Sequence, residues 1–352
     1  MDTTLRPDAD TLAEYGTLLR RRVLIVAALS FLTLIAFLAD VALGPSGLSL
    51  GETIQGLLFP DEVKRSVTVI LYQVRLPAAV MAVLVGVGLS LAGAEMQTLM
   101  NNAMASPFTL GVSSAASLGA AFAIVLGISI PGIPQGWIVA FNAFVFAFGS
   151  MALLQLLVRL RGAGAETLVL FGIALVFTFN ALVSLLQFVA SQETLQRLVF
   201  WTLGSLTRAN WESITILGAV ILVITPLSFR AAWGLTALRL GEDRARSFGV
   251  DVGRLRIASL LRIALLTSAS VAFVGIIGFI GLVGPHIARL LVGEDHRFFL
   301  PVSALMGALV MSLSSIASKM IVPGILIPVG IVTALVGLPI FFALILKRKE
   351  RL

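Results

Sequence analysis

Segments of roughly 20 predominantly apolar residues recur along this chain from Val23 to Leu346. No other feature constrains the fold as tightly. An α-helix of that length covers about 30 Å of hydrocarbon, and in lipid a helix satisfies its own backbone hydrogen-bonding groups. Only 12% of the residues are charged, where a soluble domain carries about 25%. No polar interval is long enough to hold a separate soluble domain. The expected fold class is therefore an all-α polytopic membrane protein.

The expected spans are 23–43, 77–97, 108–128, 136–158, 167–190, 213–229, 299–318 and 326–346, with the uncharged run 263–288 between the sixth and the ninth. That run, extended to 256–293, is long enough for two short crossings that turn near 275–278. Charge decides for two. Arg20, Arg21 and Arg22 precede the first span, Lys347, Arg348, Lys349 and Arg351 follow the last, and seven cations lie between Arg230 and Arg262. Basic loops stay in the cytoplasm, so an even number of crossings separates the last two groups. Ten spans result, with both termini cytoplasmic. Of 25 Lys and Arg residues, six fall on the outer side (Lys64, Arg65, Arg75, Arg197, Arg208, Lys319) and the other 19 inside. The domains are an N-terminal tail 1–22, a transmembrane domain 23–346 with an inner loop 230–256, and a C-terminal tail 347–352. Val23–Ala39 is longer than a signal-peptide core and lacks a clear cleavage site, so it is expected to be retained.

The stretch 110–120 (LGVSSAASLGA) resembles 300–308 (LPVSALMGA). These are expected to mark two inverted four-helix units, 77–190 and 257–346, with spans one and six outside them. Inverted repeats are a transporter signature. Trp201 and Trp211 are expected at interfacial depth, where aromatic residues anchor spans.

Much chemistry is excluded. There is no cysteine, hence no disulfide or thiolate site. No G-x-x-x-x-G-K-[ST] or H-E-x-x-H occurs. The net charge of +7 fits inner loops of a membrane protein, and nucleic acid is not an expected partner. His286 is expected at a helix end or in packing, and His296 in a solvated loop. Glu95 is the one clear acidic candidate near a span interior. It is either an interfacial carboxylate or the coupling group of an ion-driven secondary transporter.

The polar interval 235–262 stands apart. It is expected to form two short helices, the first opened by Gly241 and stopped by Gly249 at positive φ, the second capped by Asp251 with Arg254 and Arg256 exposed. It is either a solvated topology signal or a docking element.

These motifs together resemble the permeases of type II ABC importers for ferric siderophores, haem and cobalamin, the FecCD family. The resemblance rests on Arg75-Leu76-Pro77, Gly93 with Gln97, Asn102, Ala105 and Pro107 leading into 110–120, and Leu240-Gly241-Glu242 with Ala245 and Gly249. It continues through GFIGLVGPHIARL at 278–290, Asp295-His296-Arg297, Leu300-Pro301 and PVGIVTALVG at 328–337. It implies a bacterial inner-membrane subunit that pairs with a second permease, like or unlike, in contact with membrane lipid. A separate cytoplasmic ATP-binding subunit would carry ATP and Mg, leaving no cofactor and no catalytic or metal site on this chain. Leu240, Gly241, Glu242, Arg244, Ala245, Arg246, Gly249 and Arg254 would couple to that ATPase. Arg75 and Lys319 would dock a periplasmic or lipid-anchored substrate-binding protein. Asn180, Ser184 and Gln187 share one helical stripe. With Ala190, Ser191 and Gln192 they would form path and gate, the stripe's other reading being bonds between neighbouring helices. Ala78 departs from a second arginine and Ala103 from a proline. The segment 314–330 lacks the acidic residue and Glu-Leu-Pro of haem and cobalamin members, which favours a ferric siderophore over those two cargoes.

Overall fold

The computed structural model describes residues 9–128, 130–161 and 165–348; tail residues 1–8 and 349–352 lie outside them. The long first helix α1 (Ala9–Ala42) runs through most of the expected tail. A short helix α2 (Leu50–Leu58) follows, opened by a Ser49/Glu52 capping box. Then α3 (Arg65–Val69) passes through a π-helical segment, Ile70–Arg75, into α4 (Leu76–Leu99). The wider π turn sits just before Pro77. There it absorbs the missing amide and the ring that would otherwise clash with the preceding turn.

The remaining helices are α5 (Val112–Val125), α6 (Gln135–Arg161), α7 (Ala165–Val189), α8 (Gln192–Thr202), α9 (Trp211–Arg230), α10 (Ala232–Leu238) and α11 (Glu242–Ser247). After them come α12 (Val252–Val274), α13 (Ile280–Val292), α14 (His296–Met320) and α15 (Val329–Arg348). Among the described residues seven helices are long and apolar enough to cross a bilayer, and three shorter apolar ones lie at Val112–Val125, Ile280–Val292 and Val329–Pro339. The run 256–293 is split as expected, with Gly275 at φ +80° and Phe279 at φ +67° forming the turn.

Burial divides the bundle. The most apolar windows of α4 and α12 are 72% buried and that of α14 61%, against 17% for α1 and α7. The centre is therefore α4, α12 and α14, and glycine explains how α4 packs on α13 and α14. A Cβ on Gly93 would lie 1.9 Å from the carbonyl oxygen of Gly281 in α13, and one on Gly86 2.4 Å from that of Gly307 in α14. Backbones touch directly at these points, the close approach that small residues permit.

α4 begins at the end of the bundle that holds α2, and α12 begins at the opposite end, beside α11. Each is followed by a short helix, α5 or α13. The sequence pair expected to mark this repeat does not fall on equivalent helices, however. Residues 110–120 run into α5, the second of its group, while 300–308 lie in α14, the third of the other.

Candidate functional site

At one end of the bundle α11 forms an exposed knob. Gly241 precedes it at φ +106° and Gly249 follows at φ +81°, conformations that favour glycine. The Val250 amide donates to the Ala245 carbonyl at 3.0 Å and the Gly249 amide to that of Arg246 at 2.9 Å. This Schellman pattern ends the helix within two turns. Ala245 is fully buried beneath it, while Leu240, Asp243, Arg244, Ser247 and Phe248 are exposed. The Asp251 side chain accepts from the Arg254 amide at 3.0 Å and caps α12. Glu242 accepts from Arg256 at 2.5 Å and from Arg246 at 3.4 Å. Arg254 remains open, but Arg256 is half-buried against Glu242 and not exposed as expected. The knob is thereby tied to the first turns of α12.

Next to the knob, where α10 ends at Arg239, lies a polar cluster. Arg239 donates to Glu294 at 2.9 Å, with a second bond from its Nη2, and to Asn101 at 2.6 Å. Arg289 lies 3.0 Å from Glu294 and donates to Gln97 at 3.0 Å. His296 is fully buried, 2.7 Å from the Thr98 hydroxyl and 3.2 Å from that of Thr236. It opens α14 and is not a solvated loop residue. Its neighbours in sequence, Asp295 and Arg297, are charged, which hid its role as a joint between α4, α10 and α14.

Burial by itself would raise the Glu294 carboxyl, but hydrogen bonding and charge from Arg239, with Arg289, bring it below the ordinary value. Hydrogen bonding from Arg297 lowers Asp295 likewise, with a smaller charge effect from Arg22. For carboxyls lowered by folding, the stabilising contribution is whole above the unfolded value of about 4 and disappears as pH falls through the folded one. The thermal midpoint is expected to fall on acidification below pH about 4, and Glu294→Gln is expected to flatten that fall.

Of the two readings of Glu95, the interfacial one is overturned. Glu95 is fully buried, not interfacial, and Arg262 grips it through Nη2 at 2.6 Å and Nε at 2.9 Å. Ser228 of α9 donates to the same carboxylate at 2.6 Å, and Arg262 donates to Ser259 at 2.7 Å. Arg262 is no loop cation; it stands three turns into α12. The one available signal was its spacing, since position 262 lies past every other charge of that helix.

The opposite end is organised by cations. Arg75 is 4% exposed and donates to the carbonyls of Ala42 at 2.6 Å and Val41 at 3.2 Å, and to Ser46 at 2.7 Å. Lys319, 9% exposed, donates to the Asp40 carboxylate at 2.7 Å and the Asp40 carbonyl at 2.8 Å. Neither is the surface cation expected for docking. Each instead satisfies the C-terminal end of α1, where a helix leaves carbonyls unpaired. Arg208 does the same for Phe200 at 2.7 Å and Val274 at 3.3 Å, and burial lowers its pKa. Lys64, Arg65 and Arg197 are the exposed cations here, Arg197 lying 3.0 Å from Glu193. Trp201 is buried and not an interfacial anchor, whereas Trp211 is exposed and donates to the Tyr72 carbonyl at 2.9 Å. Trp201 and Arg208 line a cavity of about 840 Å³ between α6, α8, α9 and α12.

On α7, Asn180 and Ser184 are exposed and Gln187 half-buried. The stripe therefore faces out of the chain and does not bond its helices to one another. Ala190 is half-buried, Gln192 is exposed, and Ser191 caps α8 by accepting from the Thr194 amide at 3.3 Å.

The family model described as the FecCD transport family matches residues 32–347. An uncharacterized ABC transporter permease of Bacillus subtilis is 40% identical, covering 81% of this chain and 80% of its own. The molybdate import system permease of Haemophilus influenzae is 32% identical over 93% of this chain and 96% of its own. A solved structure, described as an inward-facing conformation of a metal-chelate type ABC transporter, superposes with a TM-score of 0.81 at 31% identity. It covers 92% of this chain and 99% of that one.

Proposed function

Because this chain belongs to the FecCD transport family, we propose that it is the permease subunit of an ATP-driven importer that carries a ferric siderophore across the bacterial inner membrane by alternating access. In this reading the ten long and short apolar helices all cross, with α10 and α11 and both termini on the cytoplasmic side. The knob carries the proposal. A short helix, stopped at both ends by glycine and packed on α10 and α12, can transmit force where a flexible loop would dissipate it. Arg244, Arg254, Leu240 and Phe248 provide its open contact surface, suited to a cleft on a cytoplasmic ATP-binding subunit. ATP and Mg belong to that subunit, and this chain supplies no catalytic residue.

Exposed polar groups on α7 are costly against lipid. They support a second permease packed on that face, with Asn180, Ser184 and Gln187 toward the shared path and Ala190 to Gln192 at its outer gate. A substrate-binding protein would meet the α2 end through surface groups such as Arg65. Arg75 and Lys319 serve that contact indirectly, by holding the ends of α1. The siderophore rests on the sequence of 314–330 and on the metal-chelate description of the structural relative. Ion coupling through Glu95 is disfavoured, because Arg262 already neutralises it.

Native mass spectrometry of the chain drawn from its own membranes in mild detergent tests the assembly. Two copies of the 37.2 kDa subunit, or one with a related permease, are expected with two ATP-binding subunits. A chain that carries no ATPase under any mild condition would overturn the proposal.

A further inference from the structure

We infer that the buried Glu95–Arg262 pair, with Ser228 as its third member, is the pin that makes α12 a lever between the knob and the core of the bundle. The inference rests on α11 being the docking element. Glu242 ties the knob to Arg256 in the second turn of α12. From there α12 runs unbroken to Arg262, six residues or about 9 Å further along the axis. At that level Arg262 holds Glu95 of α4, which also takes the Ser228 hydroxyl of α9.

Past Arg262 the buried residues of α12 are all apolar or small. Such apolar contacts are non-directional. A forked guanidinium on a carboxylate is directional and fixes register, the best-attested use of a buried ion pair. Stability alone is a poor reason for it, since a well-packed apolar pair serves as well or better. Glu95 and Arg262 are thus positioning residues. With them, displacement of the knob moves α4, α9 and α12 as one body; without them α12 slips.

The test separates register from stability. The chain has no cysteine, so Ser184→Cys on the exposed face of α7 gives it a single thiol. Its labelling rate by a water-soluble maleimide is measured in the complete assembly, nucleotide-free and trapped with ATP and vanadate. In the otherwise unaltered chain the two rates are expected to differ by about tenfold. In E95M/R262M the thermal midpoint and ATPase capture are expected to hold, while the two rates come within about twofold. Should that variant not fold, Arg262→Lys keeps the charge and loses the fork; it is expected to fold and to reduce the difference at least by half. A folded E95M/R262M or Arg262→Lys assembly with the full difference would overturn the inference. If the unaltered assembly binds ATPase but shows no difference, the inference also fails. If it captures no ATPase at all, it is the importer reading that has failed.

Discussion

Lys319→Met is expected to destabilise the chain by about 3–5 kcal/mol, the range for removing one partner of a buried ion pair. Asp40 is fully buried and Lys319 nearly so, and the ammonium supplies both a 2.7 Å bond to the carboxylate and a 2.8 Å bond to the Asp40 carbonyl. Without it the buried Asp40 carboxylate loses its ion-pair partner. The Ser315 hydroxyl is the other side-chain group that reaches it, and a neutral hydroxyl does not replace an ammonium. The double variant D40N/K319M removes the charge as well as its partner and is expected to recover most of the stability. The measurement is the thermal midpoint and folded yield in mild detergent. A solvated surface lysine predicts a change of at most about 1 kcal/mol, and that result would show that the pair does not exist in the folded protein.

Phe248→Ala is the second large effect. Phe248 is 54% exposed at the end of α11 and Leu240, 53% exposed, flanks its start. Neither is needed to fill the core. Large apolar groups held open on a rigid element mark binding surfaces, and an aromatic anchor of an interface contributes about 2 kcal/mol or more. Truncation is therefore expected to weaken capture of the ATP-binding subunit by about 30-fold, with ATP-dependent uptake falling in proportion at limiting ATPase. The thermal midpoint of the isolated chain should move little, as at other exposed positions. Unchanged capture would return the knob to a solvated topology signal.

Capping at the knob was legible because it is local. Gly241, Gly249 and Asp251 act on groups within a few residues, so their types and spacing announce the turn they make. The spans were legible for a similar reason: length and hydropathy are properties of a contiguous segment. The polar stripe of α7 followed from helical spacing, but spacing does not say which way a helix face points, and only the packed bundle turned it outward.

The buried charges were illegible. Arg262 read as the last cation of a loop, and its partner Glu95 lies 167 positions away. Asp40 and Lys319 are 279 apart. Arg75 and Lys319 looked like exposed cations out of place for their side of the membrane, and the structure makes them caps on the end of α1. His296, flanked by Asp295 and Arg297, looked solvated and is a buried joint.

What the sequence by itself determined, then, is the all-α membrane character, the positions of the apolar helices, the split of 256–293 and the capped knob. Each depends on free-energy terms summed along a short stretch of chain. Only the tertiary structure decided which charge meets which, and so which cations are surface groups and which hold the bundle together. A lone charge in an apolar helix requires a partner, but any facing helix can supply one. The choice is made where glycines such as Gly86 and Gly93 let backbones touch and so set which faces meet.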